Sequence, residues 1–138
     1  MATPGAPIYV DADELLVAAL AAEFPGVRVC TELPADVEQV LPCVQVNRFG
    51  GNAETPGVDR VYCDYDVWHS SDQACALLAG QVRSWLLMGL AGTRIVAPTG
   101  TGVVLRVHEQ TGAMRRPSGN ADTWRRGGVL TIYVQAAP

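Results

Sequence analysis

The residues best suited to acid–base or nucleophilic chemistry stand side by side at His69, Ser70, Ser71 and Asp72. Together they offer an imidazole, two hydroxyls and a carboxylate, which are the groups of a hydrolytic triad. Adjacent residues cannot orient one another in that way, because the members of a triad come from separate chain segments. Ser70 as a helix N-cap, followed by an acid in the first helical turn, explains these residues better. We therefore expect no catalytic residues and no enzymatic activity.

Four cysteines offer ligands or nucleophiles, but their spacing favours neither role. Zinc sites usually present ligands in close pairs, and this chain has no C-x-x-C pair. Asp64 and Asp66, predicted on one strand face, lack a third ligand. We predict no metal and no cofactor, and we interpret the thiols as reduced, buried, small apolar groups. The cysteines are Cys30, Cys43, Cys63 and Cys75.

Gly100 and Gly102 suggest a phosphate-binding loop, but their surroundings argue against one. Position 105 is Leu where a third glycine would stand, and a strand pattern follows where a helix would be needed. The segment is predicted to be a turn.

Composition bounds the class of protein. The chain has 138 residues, 49% apolar and 17% charged, with a net charge of −4. This length fits one domain over residues 1–138 with a continuous core. Mild acidity argues against a domain that grips phosphates. The longest apolar run, Leu15–Ala22, is far short of the roughly 20 residues that span a bilayer. No signal peptide is visible, and we expect a soluble, cytoplasmic protein with no membrane association.

The elements that position the polar residues centre on one strand and one helix. Alternation from Arg60 to His69 predicts a half-buried strand. We expect its second face to be too polar for a core, because it carries two carboxylates. A stripe of apolar residues at steps of three and four predicts a helix from Ser71 to about Gly89. The core face of the strand holds Val61, Cys63, Tyr65 and Val67, and the second face holds Arg60, Tyr62, Asp64, Asp66 and Trp68.

The remaining elements follow from the same patterns. A first helix of about 13 residues starts at Asp11 or Asp13 and stops at Pro25-Gly26. The rest of the chain is predicted to form five further strands, three loops and a flexible N-terminal arm. The arm is residues 1–8, the strands are Val27–Leu33, Cys43–Phe49, Arg94–Ala97, Val103–His108 and Trp124–Ala136, and the loops are Pro34–Leu41, Gly50–Gly57 and Gln110–Thr123.

This order of elements predicts an α+β fold. Short connections and segregated helices favour one antiparallel or mixed β-sheet with two α-helices packed on one face. The uncovered face would mix aromatic and charged residues, which is typical of a subunit contact. The interface we predict consists of Arg48, Arg60, Tyr62, Asp64, Asp66, Trp68, Arg115, Arg116 and Arg126.

The ordered pattern resembles the tail terminator (tail completion) proteins of long-tailed bacteriophages. Its parts are a first helix ending in Phe24-Pro25-Gly26 and the strand and proline segment up to Pro34. "LPCVQVNRFGG" follows at residues 41–51, then "DRVYCDYDVWHSSDQACALLAGQVRSWL" at residues 59–86, and a closing strand after Trp124-Arg125-Arg126. Together these segments cover nearly the whole chain.

The resemblance implies a structural virion protein of the tail or neck, assembled in the host cytoplasm. It implies a homo-oligomeric ring of six subunits on the tail-tube protein. The ring would stop tube growth and offer a docking face for the head-side connector. DNA would pass through its lumen without specific binding. Two alternatives remain at this stage: another neck component, such as a head-closure or adaptor protein, and a small thiol-dependent enzyme using Cys63 or Cys75.

Overall fold

A computed structural model describes residues 5–137, which form one mixed sheet and two helices. The α+β prediction is therefore confirmed. A short 3₁₀ turn, Val37–Gln39, lies in the predicted loop before the second strand. The elements are α1 (Ala12–Glu23), β1 (Arg28–Cys30), β2 (Cys43–Thr55), β3 (Val58–His69), α2 (Asp72–Met88), β4 (Arg94–Ala97), β5 (Gly100–Arg116) and β6 (Trp124–Ala137).

The six strands are ordered β1-β2-β3-β6-β5-β4. Only β1 and β2 run parallel, and every other neighbouring pair is antiparallel. The longest strands, β2, β3, β6 and β5, are therefore adjacent in the middle. This arrangement makes β3 and β6 the centre of the sheet.

Both helices begin where local hydrogen bonding dictates. The Asp11 carboxylate accepts a hydrogen bond from the Glu14 backbone N–H at 3.1 Å and caps α1. The cap of α2 is Ser71, whose hydroxyl accepts from the Ala74 N–H at 3.2 Å. The prediction of Ser70 as the cap was therefore wrong by one residue. Capping of this kind satisfies one of the N–H groups that a helix start leaves unpaired.

The core lies between the helices and one face of the sheet. Directly opposed residues of neighbouring strands point to the same side, and those on this side are apolar. All four residues predicted for the core face of β3 are buried there. They meet Leu130 and Ile132 from β6 and Leu16, Leu20, Val82 and Leu86 from the helices.

Three segments predicted as turns or loops are strands, and the first is the segment with Gly100 and Gly102, which begins β5 and pairs with β4. Residues 50–55, expected in a loop, extend β2 along β3, and the positive φ of Gly51, +109°, lets its backbone approach the Arg60 carbonyl closely. Residues 110–116, also expected in a loop, extend β5 along β6 with further register shifts. In contrast, the first predicted strand, Val27–Leu33, shortens to the three residues of β1.

The predicted N-terminal arm lies partly outside the described residues. From Gly5 to Asp11 the chain forms neither helix nor strand, and Ile8 is exposed. The following residues are fixed, since the Tyr9 hydroxyl accepts a hydrogen bond from the Gly57 N–H at 2.7 Å and Val10 is buried. Neither helix in residues 5–137 is long and apolar enough to cross a membrane.

Candidate assembly surface

The sheet face turned away from the helices, here called the open face, has a cluster of paired charges near the end of β3 and the start of β6. Arg125 donates from Nε and Nη2 to the two oxygens of Asp66, both at 2.9 Å. Arg116 donates to the same carboxylate at 3.0 Å and reaches Asp64 at 3.3 Å. Asp66 is only 5% exposed. The expectation that both carboxylates stay out of the interior was therefore wrong for Asp66, because two arginines compensate its burial.

A glycine makes room for this cluster. A Cβ atom on Gly127 would stand 2.3 Å from Asp66 Oδ1 and 2.4 Å from the Tyr65 carbonyl oxygen. No residue with a side chain fits there without movement of the strand or the carboxylate. The Asp66 carboxylate therefore lies directly over the backbone of β6.

Trp68 continues the cluster toward the end of the sheet. The Arg125 guanidinium lies 5.1 Å from the centre of the Trp68 ring, within the range of a cation–π contact. Trp68 is buried as well. In the isolated subunit, the Trp68 ring and the Asp66 carboxylate thus present little area to a partner.

Arg115 and Arg126 do not join this cluster. Both hold Asp72 in the first turn of α2, where Arg126 Nη2 donates to Oδ1 at 3.0 Å and Arg115 Nη2 donates to Oδ2. The hydrogen bond from Arg126 lowers the pKa of Asp72 below its usual value. The structure therefore divides the predicted arginines between the open face and the start of α2.

The other predicted contact residues lie toward the β2–β3 hairpin. Arg48 makes a two-pronged ion pair with Asp59, at 2.7 and 3.0 Å, and this hydrogen bonding raises the pKa of Arg48. Arg60 donates to the Asn52 side chain at 2.9 Å. Both arginines are thus engaged within the subunit.

An aromatic patch occupies the middle of the open face. Phe49 is 55% exposed and packs on Tyr62 with ring centres 6.3 Å apart. A shallow cavity of about 310 Å³ lies beside them, lined also by Gln110, Val129 and Thr131. This patch therefore offers an accessible aromatic side chain, that of Phe49, on the open face.

Sequence reasoning missed two contributors to the open face. Arg125 was omitted although the alternation that puts Leu130 in the core also puts odd-numbered residues of β6 on the opposite side. Arg106, which stacks 4.0 Å from the Tyr133 ring centre, was omitted as well. A register shift beside it moves β5 out of simple alternation, so the sequence carried no clear signal.

Two long strand edges are unpaired in the described part of the chain. β1 covers only residues 43–45 of β2, which leaves residues 46–55, and the outer part of these, residues 49–55, is here called the β2 edge. β4 covers only residues 100–103 of β5, which leaves residues 105–116, here called the β5 edge. In the strand order the two edges lie on opposite sides of the sheet, and a side-chain ion pair from Arg106 on β5 to Glu54 on β2, at 3.1 Å, links them within the subunit.

The arrangement offers little for chemistry. No group of three or more potential metal ligands is brought together within residues 5–137. Burial raises the pKa of Cys63 to about 12 and also raises that of Cys75, so both thiols stay protonated at neutral pH. A protonated thiol is a poor nucleophile. His69 contacts its neighbour Ser70 at 3.3 Å.

Within the described residues the polar groups of the open face pair among themselves, and parts of two strand edges have no backbone partner, which is typical of a structural protein rather than of an enzyme site. The sequence matches the family of phage tail termination proteins over residues 8–136, and the chain belongs to that family. No curated protein matches the sequence. The family resemblance inferred from the sequence is thus confirmed. Its name gives the chain a structural role in ending the phage tail and a place in the virion tail.

Proposed function

We propose that copies of this chain close into a ring of six that caps the tail tube, stops its polymerisation and provides the docking face for the head-side connector. The family supports the role at the tail. The observation that carries the ring is the presence of two unpaired edges on opposite sides of one sheet.

Edges in this arrangement favour head-to-tail association. The β2 edge of one copy can pair with the β5 edge of the next, so that every subunit uses two different surfaces. Such heterologous contacts produce a ring when the rotation between neighbours closes. Addition of a strand to an exposed edge supplies backbone hydrogen bonds along its whole length.

The two edges carry only part of the protection that monomeric proteins usually have: β-bulges interrupt both, and charged residues lie along β5. Monomers blunt exposed edges with lysines, prolines or covering elements. This chain has no lysine, and residues 105–116 contain no proline. Leu105 and Met114 on β5 are exposed, as is Phe49 at the start of the β2 edge. The same apolar groups would be covered if neighbouring copies paired there.

The predicted contact residues divide into two roles in this proposal. Arg60, Tyr62 and Asp64, which are partly exposed, would face a neighbour or the lumen. The remaining predicted residues would hold the strands and α2 in the shape that the neighbour meets, and they are Arg48, Asp66, Trp68, Arg115, Arg116 and Arg126.

The charge of the surface suits a conduit for DNA. A protein that binds DNA strongly presents basic residues to the phosphates. Here the net charge is −4, and Arg116 and Arg125 on the open face are neutralised by Asp64 and Asp66. DNA passing a lumen formed by this face would therefore be held weakly.

The test is assembly with and without an intact β5 edge. Native mass spectrometry and negative-stain microscopy of the purified protein, alone and mixed with tail tubes, should show rings at tube ends. A variant with both Leu105→Lys and Met114→Lys should lose them, because each lysine would place an unpaired charge in the contact.

Met88→Lys is the matched control, since Met88 is an exposed apolar residue on α2, away from both edges. This variant should cap tubes as the wild type does. Wild-type protein that stays monomeric and never caps a tube would overturn the proposal. Normal capping by the double variant would overturn the edge pairing.

A further inference from the structure

The side chains of two of the four cysteines are in contact. Cys30 on β1 and Cys43 on β2 bring their sulfur atoms to 3.4 Å from each other. A disulfide has an S–S length of about 2.05 Å, so the atoms need to approach by only about 1.4 Å. The register pairs Arg28 with Cys43 and Cys30 with Gln45, which puts both thiols on the same side of the sheet.

We propose that Cys30 and Cys43 form a reversible disulfide when the protein meets a small-molecule disulfide of the glutathione type. The proposal does not depend on ring formation. Disulfides are rare in reducing cytoplasm and form in oxidising surroundings, which a virion component meets after release from the cell. The bond would therefore form late, in the finished particle.

The two thiols differ in ways that order the reaction. Cys30 is partly exposed, whereas Cys43 is fully buried, and this burial raises the pKa of Cys43 to about 12. Of the two residues, only Cys30 has surface exposed to a reagent in solution. Cys43 is already in contact with Cys30, so it serves as the resolving thiol.

The exchange balances without any other reactant. Cys30 loses its proton and attacks one sulfur of the small disulfide, which forms a mixed disulfide and releases one small thiol. Cys43 then loses its proton and attacks the Cys30 sulfur, which expels the second small thiol. The protein gives up two electrons and two protons, and the small disulfide is reduced to two thiols.

The bond would close the segment from Cys30 to Cys43, which contains the 3₁₀ turn, and would tie β1 to the body of the sheet. β1 has only three residues and pairs with β2 alone. Closing a loop of this length restricts mainly the unfolded chain and stabilises the fold. We expect the melting temperature Tm to rise by about 5–10 °C on oxidation.

The experiment treats the folded, full-length protein with glutathione disulfide and counts thiols after unfolding. Free thiols should fall from four to two, intact mass should decrease by two hydrogens, and peptide mapping should join Cys30 to Cys43. Dithiothreitol should restore both the thiol count and the original Tm.

Cys63→Ser is the matched control, because Cys63 is buried in the core away from this pair. That variant should still lose two thiols, whereas Cys30→Ser and Cys43→Ser should form no internal bond and show no reversible rise in Tm. Four persistent thiols in the wild type, a bridge to another cysteine or an unresolved adduct at Cys30 would each overturn the proposal.

Discussion

Asp66 and Leu130 lie on opposite faces of the two central strands, and both are almost completely shielded from solvent. Leu130 is covered by the helices and by other apolar residues of the core. Asp66 is covered by two arginines and by the backbone at Gly127. One strand pair is therefore packed by apolar contact on one side and by charge pairing on the other.

The comparison shows where this fold is selective about sequence. Apolar burial is proportional to area and tolerates many side chains of similar volume. A buried carboxylate demands particular partners at particular positions, because an unpaired charge in such a place costs several kcal/mol. The open face is thus the more exacting side, although it is the less apolar one.

The largest effect should come from the core side. Leu130→Ala should lower the free energy of unfolding by about 3–4 kcal/mol, because it removes buried methyl groups and leaves a cavity. Urea denaturation measures this change. Val129→Ala, one residue away on the open face and only partly buried, should cost less than about 1 kcal/mol. Equal losses for the two variants would remove the distinction between the faces.

Substitution of one of the two acidic residues in the charge cluster should lower the free energy of unfolding almost as much. Asp66→Asn should cost about 2–3 kcal/mol, because it leaves two partly buried arginines without a charged partner. Asp64→Asn should cost about 0.5 kcal/mol, since its single contact with Arg116 is 3.3 Å long and its side chain is 34% exposed. Denaturation of both variants under one set of conditions measures the ratio, and similar losses would argue against a special role for Asp66.

A smaller loss should follow from filling the space under the carboxylate. Gly127→Ala should cost about 1–2 kcal/mol, since its Cβ would meet Asp66 and the Tyr65 carbonyl. Gly80→Ala on the exposed side of α2 meets nothing within 4 Å and should instead stabilise the protein by about 0.5–1 kcal/mol. Thermal melts of both variants test the signs, and a stabilised Gly127→Ala protein would contradict the close approach.

The smallest effect is a dependence on pH at the start of α2. The pKa of Asp72 is lowered by hydrogen bonding to Arg126, and that of Glu109 by hydrogen bonding to Arg83. A lowered folded-state pKa stabilises the fold above the usual values of 3.8 and 4.5, and this stabilisation is lost as pH falls through the folded-state values.

Urea midpoints measured from pH 6 to pH 2 should therefore fall for the wild type below about pH 4. Asp72→Asn should show a shallower fall, and high salt should reduce the difference between the two proteins because the pairs are near the surface. If the urea midpoints of wild type and variant decline in parallel, Asp72 contributes nothing to the loss of stability at low pH.

Much of the core could be predicted from the sequence because its signal is local. Alternation in β3 assigned Val61, Cys63, Tyr65 and Val67 to the buried side, and apolar periodicity located both helices. The capping residue of α2 differed by one position, which lies within the uncertainty of helix ends.

The rest depended on strand pairing that no local pattern reveals. Residues 50–55 and 110–116 are polar and interrupted by glycines, yet they are strands because β3 and β6 extend far enough to pair with them. Asp66 was expected at the surface because its burial requires Arg116 and Arg125, which are 50 and 59 residues away along the chain. The candidate surface was therefore foreseen as a face but not in its contacts.

The opposite placement of the two unpaired edges has a consequence for mixtures of subunits. If each copy binds one neighbour through β2 and another through β5, a copy with one damaged edge can still join an incomplete ring. No further subunit can then bind at its damaged edge. Such a copy would inhibit ring assembly even when wild-type copies are present, which is a dominant-negative effect. If the Leu105→Lys, Met114→Lys chain is co-expressed with the wild type, the fraction of capped tubes should then be well below the fraction of wild-type subunits.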